Sequence, residues 1–144
     1  MLKIRISDKH IKNGKLDKVA LAEIKYDVVD FLTIDYSRMQ SSAKKVLAEL
    51  LTDAIVAFDG DKIIFKTVVE FWRCESLICL ENVIFNGNVW FWHCNSLMYI
   101  EKTVFKSKFS FYNCKYFKNE TFENKTEAEL LLEDKYIKKG VANE

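Results

Sequence analysis

Apolar positions in the second half of the chain recur with a fixed period. Three lines stack: "FKTVVEFWRCESLICLENVI" at 65–84, "FNGNVWFWHCNSLMYIEKTV" at 85–104 and "FKSKFSFYNCKYFKNETF" at 105–122. The columns agree: Phe65, Phe85 and Phe105; Val69, Val89 and Phe109; Phe71, Phe91 and Phe111; Cys74, Cys94 and Cys114; Leu77, Leu97 and Phe117. Self-similarity at about twenty residues marks units that bury their apolar sides only by stacking. Val69 and Phe71 stand two apart, so a short strand points both inward. Cys74, Leu77 and Leu80 then follow at threes, the spacing of a turning, inward-facing arc. If Phe71, Phe91 and Phe111 point in, Trp72, Trp92 and Tyr112 point out, with Trp90 beside them and Arg73 and His93 just beyond.

The flanks follow other periods. Leu2 to Ile6 alternates and predicts a strand. "SDKHIKNG" predicts a single helical turn capped by Ser7 or Asp8 and stopped by Gly14. Leu16, Val19, Ala20 and Ile24 fit one helix face, and Leu32, Ile34 and Tyr36 alternate as in a second strand. Ser41 or Ser42 caps a longer helix whose apolar stripe is Val46, Leu47, Leu50, Ala54, Ile55 and Phe58, ended by "FDGD". Near the C-terminus, Thr126 and Glu129 form a capping box ahead of Leu130, Leu131 and Leu132, and Gly140 closes that helix.

These elements define an α+β chain: an N-terminal αβ region (1–62), a short β-solenoid of about three rungs (63–122), and a C-terminal capping helix and tail (123–144). The alternative is an antiparallel β-meander with flanking helices, favoured by the hairpin dipeptide Asn86-Gly87. The repeat pattern V-x-F-x-x-C-x-x-L-x-x-I resembles the cysteine-containing and surface-antigen types of leucine-rich repeat. Twenty residues also make one coil of a pentapeptide-repeat β-helix; Val69, Cys74, Cys79 and Ile84 fit its small-residue column, whereas Ser76, Glu81 and Asn86 break its central one. Such families imply a binding scaffold. The first seventy residues, with "KIRISDKHIKNG", "VALAE" and "AFDGDKIIF", are similar to small phage and prophage proteins; where those carry Cys-Pro, this chain has Asp17 and Lys18.

Formal net charge over the 144 residues is +1, so no global field draws the chain to nucleic acid or membrane. No apolar run is long enough to span a bilayer, and "MLKIRISDKH" has no signal-peptide core, which together predict a cytoplasmic protein. Lys far outnumbers Arg, and Pro is absent, a bias that fits an AT-rich genome. Zinc is not expected: only Cys74 and Cys79 are close in sequence, four residues intervening, and the other cysteines lie twenty apart. A Cys–His dyad from His93 and Cys94 is disfavoured, because strand neighbours face opposite ways. The four glycines are isolated, so no phosphate-cradling loop exists, and no cofactor is expected.

With no catalytic constellation, the outward aromatic set becomes the candidate site: Trp72, Trp90, Trp92 and Tyr112, with Arg73 and His93. An aromatic ladder in water demands a cover, supplied by the N-terminal half, a second copy of the chain, or a partner. The expectation is a non-enzymatic protein-binding module from a phage or mobile element. It would inhibit a host protein, such as a CRISPR or other defence complex, by steric occlusion. A homodimer through the ladder is a second use of the same face. The competing reading is a single-stranded nucleic-acid binder using the third rung, with Lys102, Lys106, Lys108, Lys115 and Lys118 beside aromatics.

Overall fold

The structure is a computed structural model, and it describes residues 3–25 and 41–117. The fold is mixed and mostly sheet, with few helices and no closed barrel among the described residues. Each repeat supplies short strands separated by corners. The first gives β5 (Lys62–Phe65), β6 (Val68–Trp72) and β7 (Cys79–Glu81). The second gives β8 (Val83–Phe85), β9 (Val89–Trp92) and β10 (Tyr99–Glu101), and the third β11 (Val104–Phe105) and β12 (Phe109–Tyr112).

Strands of successive repeats pair parallel and in register. Val69 lies against Val89 and Phe71 against Phe91; Phe109 lies against Val89 and Phe111 against Phe91. The same offset pairs β7 with β10 and carries β5 through β8 to β11. An antiparallel meander would pair its repeats the other way, so that alternative does not describe these strands. Asn86-Gly87 makes no hairpin. A Cβ on Gly87 would lie 2.7 Å from the carbonyl oxygen of Thr67, so glycine is there to let one layer approach the backbone of the layer above.

Stacking explains the residue columns. Phe71, Phe91 and Phe111 stack with ring centroids 4.7 Å apart at both steps. Phe65, Phe85 and Phe105 form a second stack at 5.4 and 5.3 Å, and the two stacks meet edge to face, as with Phe85 and Phe91 at 82°. Cys74, Cys94, Leu77, Leu97, Leu80 and Ile100 are fully buried. Each column thiol donates to a carbonyl one layer up: Cys94 to Phe71 at 4.0 Å and Cys114 to Phe91 at 3.5 Å. All four cysteines are free thiols.

The N-terminal segment continues this stack instead of standing apart. β1 (Lys3–Ile6) joins the sheet order β1-β6-β9-β12, with Ile4 against Val69 and Ile6 against Phe71. The Ile6 carbonyl accepts from Cys74 Sγ at 3.4 Å, the role that Phe71 and Phe91 play lower down. Further along, the Gly14 carbonyl accepts from the amides of Ile78 and Cys79, just as the Ile78 carbonyl accepts from Met98 and Tyr99. The amide and hydroxyl of Ser76 donate to Asp8, which ties the two layers between those points. Residues 3–16 therefore make an irregular top layer.

Several expected elements are displaced. "SDKHIKNG" is a 3-10 turn at Asp8–His10, capped by Ser7, followed by a hairpin of β2 (Ile11–Lys12) and β3 (Lys15–Leu16). The turn of that hairpin is Asn13-Gly14, both at positive φ, so Gly14 turns strands and does not stop a helix. Leu16 is thus in a strand. α1 (Lys18–Ala22) is capped by Asp17 and buries Leu21, with Ile24 just beyond, while Val19 is exposed. α2 (Ser41–Ile55) is followed directly by β4 (Val56–Asp59), which pairs antiparallel with β5, so Phe58 lies on a strand. Ala48 and Ile55 form the buried face of α2; Val46 and Leu50 point outward, Leu50 at 75% exposure. The strand expected over Leu32 to Tyr36 and the C-terminal helix lie outside the described residues. Ile4, Ile6, Leu21, Ile24, Ile55 and Val56 close the upper end of one continuous core.

Candidate functional site

The outer face of the sheet β1-β6-β9-β12 carries the predicted residues in two columns. Strand alternation and the pairing register place Arg5, Glu70, Trp90 and Ser110 in one column. Trp72, Trp92 and Tyr112 form the other. Trp72 and Trp92 rings lie 5.8 Å apart at 45°, and Trp92 and Tyr112 4.6 Å apart at 19°. The three tryptophans are half-buried and Tyr112 is 40% exposed. The N-terminal half thus borders the ladder through β1 without burying it.

Cations bracket the rings. The Arg5 guanidinium sits 4.9 Å from the Trp72 ring, Arg73 5.6 Å from the same ring, and the Lys3 ammonium 5.8 Å from Trp90. Glu70, in the same face, is nearly buried and takes hydrogen bonds from Lys3 at 2.8 Å and Arg5 at 2.9 Å. Desolvation pushes its carboxyl up, but the two cations outweigh that and hold it below the ordinary glutamate value.

Arg73, His93 and Asn113 form a third column at the corner after each strand, all at positive φ (49, 54 and 52°). Asparagine and histidine are among the non-glycine types enriched in this conformation; arginine is uncommon there. The corner amides of Arg73 and His93 donate to the carbonyls of Trp92 and Tyr112 in the next layer, which fixes the turn. All six predicted residues, Trp72, Trp90, Trp92, Tyr112, Arg73 and His93, therefore share one face or its rim.

Among the described third-rung lysines, Lys102 and Lys115 meet different neighbours. Lys102 occupies a corner near Glu81, on the β7–β10 side, and Lys115 lies over the Tyr116 ring. Bases cannot enter the ladder: a base layer occupies about 3.4 Å, so insertion between two rings needs about twice that, more than the spacings seen.

A second cluster escaped the sequence analysis. On the outer face of β7 and β10, Cys79 Sγ and carboxylate oxygens of Glu81 and Glu101 lie within 4.8 Å of one another. Its signal was a two-residue step plus one period, visible only once the repeat is folded. The β2–β3 hairpin lays Lys15 over it, with the ammonium 2.9 Å from Glu81. That hydrogen bond lowers the Glu81 carboxyl, and burial together with Glu101 and Glu81 raises the Cys79 thiol. A cleft of about 360 Å³ adjoins it, lined by Lys15, Lys18, Asp61, Cys79, Glu81 and others. The lysine supplies the cation this acidic group needs, and a protonated thiol is a poor nucleophile.

In the cysteine column, a hydrogen bond with Cys114 pulls the Cys94 thiol down, but the bond with Cys74 and burial prevail and push it up to about 12. Cys114 is raised by its bond to Cys94 and by burial. No helix among the described residues is long and apolar enough to cross a membrane. No protein-family model matches the chain, and no curated protein or solved structure matches it either.

Proposed function

We propose that this is a non-enzymatic protein-binding module: a short β-solenoid whose outer aromatic columns dock a partner protein. The observation that carries the reading is the partly exposed Trp72–Trp92–Tyr112 column, held on a close-packed stack, with Arg5 and Arg73 both over the Trp72 ring at its upper end. Tryptophan, tyrosine and arginine on a rigid support bind with little loss of side-chain entropy, and they dominate interface hot spots. Arginine at the left-handed Arg73 corner beside the ladder adds local strain, which persists where a side chain is needed for more than the turn. What supports a bacterial host partner is the resemblance of motifs in the first seventy residues to small phage proteins. A small chain that covers part of a host complex, such as CRISPR or other defence machinery, inhibits by steric occlusion.

The test is a pull-down from host lysate with the intact chain and with Trp92→Ala. A specific protein held by the first and lost by the second supports the proposal. Recovery of no specific protein, or equal recovery by both, counts against it. Light scattering on the two chains reads the other use of the face: a dimer that dissociates on Trp92→Ala assigns the ladder to a second copy.

A further inference from the structure

Charge on the aromatic face is uneven. Lys3, Arg5 and Arg73 gather at its upper end, and the one acid among the outward positions of β1, β6, β9 and β12 is Glu70. That carboxylate is already taken. Oε2 accepts from Lys3, and Oε1 lies within 2.9 Å of two Arg5 nitrogens. One anion cannot neutralise both cations, and their side chains remain 48% and 57% exposed. Arg73 is exposed too, lies over the Trp72 ring, and makes no ion pair with any described residue. Its corner is left-handed, where arginine is uncommon, and the equivalent corners carry His93 and Asn113. The formal charge of the whole chain is only +1, so this surplus is local. Below it the face is aromatic, with Trp92 and Tyr112 stacked at 4.6 Å.

We propose that the partner is acidic at the point of contact: a protein segment that sets carboxylates against Arg5 and Arg73 and an apolar anchor on Trp92 and Tyr112. This rests on the reading of the outer face as a docking surface. A guanidinium presents paired N–H donors that match the two oxygens of a carboxylate, and Arg73 has such donors to offer. The Trp72 ring beneath both guanidiniums holds them in place from below. A nucleic-acid strand also brings anions, but the ring spacings admit no base between them, and a near-neutral chain gives a phosphate backbone little to follow. The uneven charge also fixes direction: the acidic part of the partner lies toward β1 and its apolar part toward β12.

A displayed library of short random peptides, selected in parallel on the intact chain and on Trp92→Ala, tests this. Tyr112→Ala, at a position 40% exposed, takes the place of Trp92→Ala where that variant does not fold. All three tryptophans lie on this face, so their fluorescence reports the binding of each enriched peptide. The expected peptides, enriched by the intact chain alone, carry Asp or Glu beside an aromatic or aliphatic residue. Arg73→Asn should raise their Kd about tenfold, while Arg73→Lys, which keeps the charge, falls between. Asparagine suits the left-handed corner, so an unchanged melting temperature separates lost binding from lost folding. Added salt should weaken binding in the intact chain and much less in Arg73→Asn. Enriched peptides that are neutral or basic, or acidic ones indifferent to Arg73→Asn, overturn this inference and leave the docking face standing. Enrichment no greater than on the ladder variant removes the docking face and this inference with it. Tighter binding of oligothymidylate than of any peptide, read by the same fluorescence, also overturns it, because the anion is then a phosphate.

Discussion

Two columns of aromatic rings run down the same three strands, one residue apart in sequence. Phe71, Phe91 and Phe111 stack at 4.7 Å on the inner face; Trp72, Trp92 and Tyr112 stack at 5.8 and 4.6 Å on the outer face. The period that builds one column builds the other, so stacking by itself does not separate a structural column from a functional one. Burial does. The inner rings are also gripped edge to face by Phe65 and Phe85. On the outer face, Trp72 has Arg5 and Arg73 over its ring, and all three rings of the column are partly exposed. The inner column holds the layers together, and the outer one presents hydrophobic surface at fixed spacing.

That contrast is open to attack by substitution. Phe91→Ala should have the largest effect, a loss of about 3–5 kcal/mol in urea unfolding, because a fully buried ring leaves a cavity between two others. Trp92→Ala should lower stability by only roughly 1–2 kcal/mol, from partial burial and ring stacking, while abolishing partner capture. Equal losses for the two variants would erase the distinction and make the outer column core.

Acid should sharpen the contrast further. The folded Glu70 carboxyl lies below its unfolded value, so it contributes stability above the ordinary glutamate range, and that contribution is lost as pH falls through the folded value. Glu70→Gln should remove this component of the acid sensitivity, read as a flatter dependence of unfolding midpoint on pH between neutrality and the acid limb. The smallest effect should come from the rim. His93→Asn places at that corner the residue type that Asn113 supplies one layer down, and should change stability by less than about 0.5 kcal/mol, since both residue types tolerate the conformation. Reduced capture by the same variant would show that the imidazole serves binding; unchanged capture would confine His93 to a turn.

Much of this arrangement was legible because a twenty-residue period constrains every column at once. The inward Phe and Cys positions and the outward ladder followed from period and alternation alone. What escaped was whatever lacks the period. The top layer matches the repeats in hydrogen bonding, but Ile6 to Gly14 spans one residue more than Phe71 to Ile78, and no side chain repeats across it. The hairpin signal was weighed at Asn86-Gly87, where close layer contact needs the glycine, and missed at Asn13-Gly14, where the turn is. The face of α2 was misjudged because Val46, Leu50 and Ala54 keep helical spacing as well as Ala48 and Ile55 do; which stripe is buried depends on what packs against it. The Cys79–Glu81–Glu101 cluster joins two layers and is crossed by Lys15 from a third, a relation that one line of sequence does not display.

The parallel pairing of β1 with β6 has a kinetic side. Successive repeats meet across a separation of 20 residues, whereas Arg5 meets Glu70 across 65. Loop closure grows costlier with length, and long-range pairing slows folding. On the ribosome, β1 emerges well before β6 and waits for that partner to be made. The repeats can condense pairwise as they emerge, but the top of the stack waits for this earlier segment to return. A strand made before the repeats is thus among the last to be set in place, and an amide-exchange time course of refolding should show protection at Ile4 and Ile6 lagging behind Phe71 and Phe91.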